Sequence, residues 1–335
     1  MSSVLCQNTV KKAVIMEKNY VLLFPGQGKV SSAVVDELKA EGESKHLLAK
    51  AEAYLGFNVF EKPLERTQYG QLAVFLHEAA LVELVMKKIG YPPKFAAGHS
   101  LGLYTAYQLS NALNFLAALE LVQKRAEFMQ AACDKQVSGM TAIIGPSFYE
   151  VHEVCEPISS FKDNHVVILA NYNSPIQTVI AGHQAALKEA GEKLAAKGAK
   201  VIPLKVNGAF HSPLMKEAHE QLIKLIDKMH FNDPYVGIVD EMLFRSKAAA
   251  FAGLRFHLIR PVYWQRSLEH LLINLQMTRF IEVGPGKVLT RLLIETAEGY
   301  REYVERSGRP ESVPDFKAIS IESPADLAKL EGFLN

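Results

Sequence analysis

A serine hydroxyl becomes a useful nucleophile when it is held clear of its own backbone and beside a base. Ser100 meets the first condition on sequence grounds. The apolar Phe95-Ala96-Ala97 runs into Gly98-His99-Ser100-Leu101-Gly102, and a helical pattern starts at Leu103. Gly-x-Ser-x-Gly on a tight strand-to-helix turn exposes Oγ and aims the next N–H at the reaction centre. The same residues also fit a serine that caps a helix between two turn glycines. Eleven histidines are available as a base. His99 adjoins Ser100, but neighbouring side chains diverge at a strand end, which makes it a poor partner. His46, His77, His152, His219 and His230 lie in charged, helix-like stretches that suit surface or hydrogen-bonded histidines. His211 follows a strand pattern and Asn207-Gly208-Ala209, and it precedes Ser212-Pro213, a helix-start signal. Its imidazole therefore falls at the carboxyl end of a strand, where open α/β sheets build their sites, although a helix-capping role fits the same position.

Two further residues carry candidate chemistry. Gln27, in Pro25-Gly26-Gln27-Gly28, ends an apolar strand and can share a rim with Ser100, where it would help to organise N–H groups around an oxyanion; a plain glycine-rich turn is the alternative. Arg125 falls on the apolar stripe of a helix, Ala118, Val122, Arg125 and Met129. A charge there is costly unless paired. Its partner is either a buried structural carboxylate or the carboxylate of a substrate, which the planar guanidinium can grip through two hydrogen bonds.

The elements that position these residues follow from periodicity. Residues 20–24 read as a buried parallel strand, 31–55 as helical, 72–88 as a long helix apolar on most sides, and 114–133 as the helix bearing Arg125. From 138 the rhythm changes: strand 140–144, helix 147–156, strands 166–170 and 177–181, helix 184–197, strand 200–205. That βαββαβ order is the ferredoxin-like split unit. A helix at 212–229, a strand at 279–283 and a helix from near Lys287 follow; the polar stretch 299–314 reads as a loop or linker, 316–321 as a strand and 326–333 as a terminal helix. The fold class expected is α/β: a hydrolase-like core with a mostly parallel sheet, formed by 20–137 and 207–335, plus a small inserted ferredoxin-like βαββαβ subdomain at 138–206. Residues 1–19 form an N-terminal extension.

The 335 residues are 49% hydrophobic and 22% charged, with a formal net charge of +1. That balance gives no electrostatic reason to expect nucleic acid or an acidic membrane as partner. Cys6, Cys133 and Cys155 are an odd number without metal-ligand spacing, so neither a disulfide framework nor a metal site is expected, and a reducing compartment fits. No apolar run approaches the roughly 18 residues that would span a membrane. Lys11, Lys12, Glu17 and Lys18, with no apolar signal core between them, argue against a secretory signal, and the lack of arginine there against an organelle presequence. A cytoplasmic location and a monomer are expected.

The ordered set resembles a family. Phe24-Pro25-Gly26-Gln27-Gly28, Gly98-His99-Ser100-Leu101-Gly102, Arg125, Asn171-Tyr172-Asn173-Ser174-Pro175, Gly208-Ala209-Phe210-His211-Ser212-Pro213-Leu214-Met215, Pro261-Val262-Tyr263-Trp264 and Glu282-Val283-Gly284-Pro285-Gly286-Lys287-Val288-Leu289 look like the malonyl-CoA:acyl carrier protein transacylases, including the acyltransferase domains of fatty acid and polyketide synthases. The resemblance implies that Ser100 is the nucleophile and His211 its base and acid. It implies an oxyanion hole from the N–H groups of Gln27 and Leu101, and a malonyl carboxylate clamped by Arg125. His99, Asn171 and Asn173 would contribute to substrate binding, and the main-chain carbonyl of His257 would orient His211. The family usually has glutamine where His257 stands. Lys29-Val30-Ser31-Ser32 replaces the usual continuation of Gly-Gln-Gly, the Gly-Met-Gly that follows it is missing, and 299–314 is longer than usual.

The reaction implied is ping-pong. Malonyl-CoA acylates Ser100, CoA leaves, and the phosphopantetheine thiol of an acyl carrier protein takes the malonyl group. No permanently bound cofactor is implied; the coenzyme A thioester is a substrate. Competing readings are an acyl hydrolase that clears stalled thioesters from carrier proteins, a general serine esterase, and an idle carrier-docking module. Arg125 speaks against the first, the absence of an HGGG-type oxyanion segment against the second, and intact Ser100 and His211 against the third. Acylation should fall at low pH as His211 protonates, since imidazolium cannot accept the serine proton; a flat rate from pH 5 to 8 would count against His211.

Overall fold

The computed structural model describes residues 19–310 and 312–333; most of the expected N-terminal extension, with Cys6, lies outside them. The chain runs through β1 (Val21–Phe24), α1 (Ser32–Ala40), α2 (Gly42–Leu55), α3 (Thr67–Ile89), β2 (Phe95–Gly98), α4 (Gly102–Leu109) and α5 (Phe115–Cys133). There follow β3 (Ser138–Ile144), α6 (Phe148–Cys155), β4 (Val167–Ser174), β5 (Gln177–His183), α7 (Gln184–Ala196) and β6 (Lys200–Pro203). Then come α8 (Lys216–Ile226), β7 (Gly237–Asp240), β8 (Met242–Phe244), α9 (Lys247–Phe256), α10 (Trp264–Glu269), β9 (Arg279–Val283), α11 (Val288–Ser307), β10 (Lys317–Ile321) and α12 (Lys329–Phe333).

The larger sheet has strand order β10-β9-β1-β2-β7-β8, with every neighbouring pair parallel except the β7–β8 hairpin. Alternate residues of β1 enter opposite cores: Leu22 and Phe24 pack with α3, Val21 and Leu23 with Trp264 and Leu292. Burial on both faces is why this strand reads as an unbroken apolar run. The register Phe24↔Gly98 sets the carboxyl ends of β1 and β2 side by side, which brings the Gln27 turn next to Ser100.

The second sheet is antiparallel, in the order β4-β5-β3-β6, as the split βαββαβ unit requires. Ile143, Leu169 and Ile180 on one face pack under α6 and α7. Met140, Ala170 and Val179 on the other face meet Leu204, Val206 and Phe210, the segment that returns to the main sheet.

Several expectations are corrected. The helical stretch 31–55 is two helices, because Glu41 takes an extended backbone (φ −86°, ψ 130°) between α1 and α2. The helix at 212–229 begins as a 3-10 turn, Pro213–Met215, capped by the Ser212 side chain, and α8 ends at Ile226. The segment 299–314 is not a loop throughout: α11 continues to Ser307 and stops at Gly308 (φ 63°). Gly299 is a packing residue there, since a Cβ on it would lie 2.6 Å from Cγ of Pro175 in the β4–β5 turn. An i,i+4 ion pair, Arg306 to Glu302 at 2.7 Å, sits on the polar face that made the segment look unstructured. The terminal helix expected at 326–333 is a 3-10 turn, Pro324–Ala328, followed by α12. Strands β7 and β8 and helices α9 and α10 were not anticipated.

Candidate active site

Ser100 sits on the turn between β2 and α4 with φ 52°, a left-handed conformation uncommon for a side-chain-bearing residue. The flanking glycines are demanded by space. A Cβ on Gly98 would lie 2.0 Å from the Leu103 nitrogen, and one on Gly102 would lie 2.1 Å from the Phe24 carbonyl oxygen of β1. The strained turn is thus clamped between its own helix and the neighbouring strand, and the hydroxyl is held outward.

His211 also has a left-handed backbone, φ 56°, and its imidazole is buried. Ser100 Oγ and His211 Nε2 are 2.7 Å apart. Nδ1 lies 3.1 Å from the His257 carbonyl oxygen and 3.2 Å from that of Arg260. Carbonyl oxygens only accept, so Nδ1 carries the proton and Nε2 offers a lone pair to the serine hydroxyl. The resemblance implied the His257 carbonyl; the Arg260 carbonyl is a second acceptor that it did not include. Main-chain acceptors leave no side-chain signal.

Arg125 is fully buried on α5 in the expected stripe, with Ala118, Val122 and Met129. Its Nη2 donates to Ser100 Oγ at 3.3 Å, its Nη1 donates to Gln71 Oε1, and its Cζ stands 5.2 Å from the centre of the Tyr104 ring. The buried Nε has no hydrogen-bond partner. Among the described residues no carboxylate pairs with Arg125, which removes the structural-carboxylate alternative. Gln71 was also missed. It belongs to a helical stripe of α3, Thr67, Gly70, Gln71 and Val74, that lines the pocket just before the apolar run that marked this helix.

Gln27, Leu101 and Asn171 line the same pocket. Among the described residues neither the Gln27 nor the Leu101 N–H donates a hydrogen bond within the protein, so both remain available to an oxyanion. His99 turns away from Ser100, as adjacent side chains at a strand end should. Its Nε2 lies 2.9 Å from Asn173 Oδ1, and its ring meets that of Trp264 edge-on at 5.5 Å. Asn173 Nδ2 donates in turn to Gln177 Oε1 at 3.0 Å, so this amide braces His99 against β5.

Burial, with the nearby charges of Arg125 and His99, pushes the His211 pKa down to about 3. The base is therefore neutral throughout the physiological range. This corrects the expected pH signature: protonation of His211 itself falls below pH 5, and a flat rate from pH 5 to 8 does not count against it. Burial also lowers the pKa of the Arg125 guanidinium. Among the described residues no group of three or more His, Cys, Asp or Glu could hold a metal ion, and no helix is long and apolar enough to cross a membrane.

Residues 5–318 match the family model described as acyl transferase domain. A malonyl CoA-acyl carrier protein transacylase of Salmonella typhimurium is 35% identical over 286 residues, covering 82% of this chain and 91% of the relative. Among solved structures, the malonyl CoA-acyl carrier protein transacylase of Coxiella burnetii superposes with a TM-score of 0.83 at 26% identity, covering 95% of this chain and 98% of the other. A malonyl transacylase solved in complex with its type II PKS acyl-carrier protein gives 0.82 at 28% identity, covering 94% and 99%. The chain belongs to the acyl transferase family, among the malonyl CoA-acyl carrier protein transacylases.

Proposed function

We propose that this protein moves a malonyl group from malonyl-CoA to the phosphopantetheine thiol of an acyl carrier protein, by way of a malonyl ester on Ser100. The observation that carries the reading is Arg125, a buried guanidinium 3.3 Å from the Ser100 hydroxyl with no carboxylate of its own. A substrate carboxylate supplies the missing charge. A hydrolase for uncharged acyl chains would gain nothing from it.

In the first half-reaction His211 Nε2 takes the hydroxyl proton as Ser100 Oγ attacks the thioester carbonyl. The N–H groups of Gln27 and Leu101 receive the oxyanion. The tetrahedral intermediate collapses, the C–S bond breaks, and His211 returns the proton to the departing CoA sulfur. In the second half the carrier thiol gives its proton to His211, attacks the ester, and Ser100 leaves with that proton. One thioester replaces another, so proton transfer and oxyanion stabilisation carry the catalysis. Residues 20–137 and 207–335 are the catalytic body, and 138–206 closes the pocket through Met140 and Val179. No permanently bound cofactor is required, and a cytoplasmic monomer is the form we assign.

Intact-mass spectrometry after incubation with malonyl-, acetyl- and longer acyl-CoAs tests the reading. Malonyl should accumulate on wild-type protein, be absent from Ser100→Ala, and pass to added holo carrier protein. Uncharged acyl groups in preference to malonyl, or discharge to water at the same rate with and without carrier, would overturn it.

A further inference from the structure

The two carbonyls that hold His211 come from 257–260, a turn that runs on from α9 through hydrogen bonds of the His257, Ile259 and Arg260 N–H groups to the Leu254 and Phe256 carbonyls, with Val262 just beyond it bridged to β4. One side chain also ties it to the main sheet. Arg260 Nη2 donates to Asp240 Oδ2, and Asp240 is the last residue of β7, with its side chain 8% exposed. β7 pairs with β2 in the register Phe95↔Gly237, Ala96↔Ile238, Ala97↔Val239, so Asp240 stands beside the strand end that carries Ser100. The line runs from Asp240 to Arg260, through the Arg260 carbonyl to His211 Nδ1, and through Nε2 to Ser100. Asp240 is buried and Arg260 part-buried, and such a pair adds little to stability but leaves a costly unpaired charge when one partner is removed.

We propose that Asp240 and Arg260 are positioning residues: their ion pair fixes the turn whose carbonyls aim His211 at Ser100, and so ties the base to the strand beside the nucleophile. The proposal rests on the assignment of Ser100 and His211 made above. The groups that face Asp240 are Arg260 in the turn, Glu241 at its side, and Tyr104 and Tyr107 on α4. Burial lifts the Asp240 pKa to about 6 against the pull of Arg260. As pH falls through that value the carboxylate is neutralised and its grip on Arg260 weakens, well above the pH at which His211 protonates.

The test is the rate at which a fluorophosphonate labels Ser100, measured in wild type, Asp240→Asn, Arg260→Met, Arg260→Lys and the double variant Asp240→Asn/Arg260→Met. Labelling needs no malonyl substrate, so it reports the Ser100–His211 geometry without the carboxylate clamp. Asp240→Asn and Arg260→Met should each slow it by about ten- to a hundredfold, the cost of a small misplacement in an oriented dyad. The double variant should be no slower than the worse single one, and Arg260→Lys should recover part of the rate. In steady state with malonyl-CoA the loss should fall on kcat and leave KM unchanged. Wild-type labelling should decline as pH falls through about 6, whereas Asp240→Asn should be slow and flat over that range. Asp227→Asn, which discharges the exposed Arg255 pair on α9 and leaves Asp240 and Arg260 untouched, should label at the wild-type rate whatever its Tm. Wild-type rates in the two single variants, losses matched by Asp227→Asn, or a KM effect alone would overturn the positioning role. Failure of wild-type protein to label at Ser100 would instead overturn the dyad itself.

Discussion

The two halves of the dyad are built in different ways. Ser100 is fixed locally, by a strand, a turn and a helix in one short stretch, with glycines where the backbones of Leu103 and Phe24 leave no room. His211 is fixed at a distance, by two carbonyls from a turn that lies far along the chain. The nucleophile's geometry is written in side-chain identities, glycine above all. The base's geometry is written in backbone: the His257 side chain makes no hydrogen bond and is free to vary, whereas that of Arg260 is held by Asp240. Substitution should therefore be punished severely at the elbow and mildly at a residue that lends only its carbonyl.

Gly98→Ala is the most damaging test of this difference. The added Cβ has to displace the first turn of α4, and the Ser100 hydroxyl moves with it. A misplacement of about 1 Å can cost a hundredfold, and a shift imposed on the nucleophile itself should cost more. Fluorophosphonate labelling should be lost to the background of Ser100→Ala, with circular dichroism used to separate a refolded elbow from a collapsed chain. Labelling at the wild-type rate in a folded Gly98→Ala protein would show that the turn has slack.

Arg125→Ala should have a smaller effect, confined to one class of donor. A charge-assisted hydrogen bond is worth about 1.5–3 kcal/mol, roughly a ten- to hundredfold change in kcat/KM. The loss should appear with malonyl-CoA and be much weaker with acetyl-CoA, so the ratio of the two is the quantity to measure. Equal losses with both donors would mean that Arg125 acts on Ser100, which it already contacts, instead of on the substrate carboxylate.

The same contrast explains what was legible in the sequence. The elbow, the Gln27 turn and the Arg125 stripe were visible because local periodicity and glycine placement specify them. The βαββαβ unit was visible for the same reason. Gln71 escaped because it stands at the polar start of a helix recognised only by its apolar run. The Arg260 carbonyl and the Asp240 pair escaped because an acceptor on the main chain has no residue signature, and β7 is only four residues long. Gly299 was misread because its packing partner, Pro175, lies far along the chain in the β4–β5 turn.

His257→Gln should have the smallest effect, and it is the sharpest test of the backbone half of the comparison. The imidazole of His257 is 2% exposed, and neither of its nitrogens has a hydrogen-bond partner. It touches the His211 ring edge-on at 5.5 Å and the Tyr104 ring at 5.7 Å. Burial, with His211 and the Arg125 and Arg260 guanidiniums close by, holds its pKa well below the ordinary value, so it adds no charge to the site. The atom His211 uses is the carbonyl oxygen, which any residue supplies. Glutamine is close in volume, so the turn should keep its shape and the labelling rate should stay within about threefold, less than the tenfold that 1.4 kcal/mol would bring. A hundredfold loss with an unchanged Tm would mean that the ring, not the carbonyl, sets the orientation of the base, and the division between a side-chain-built nucleophile and a backbone-built base would fail.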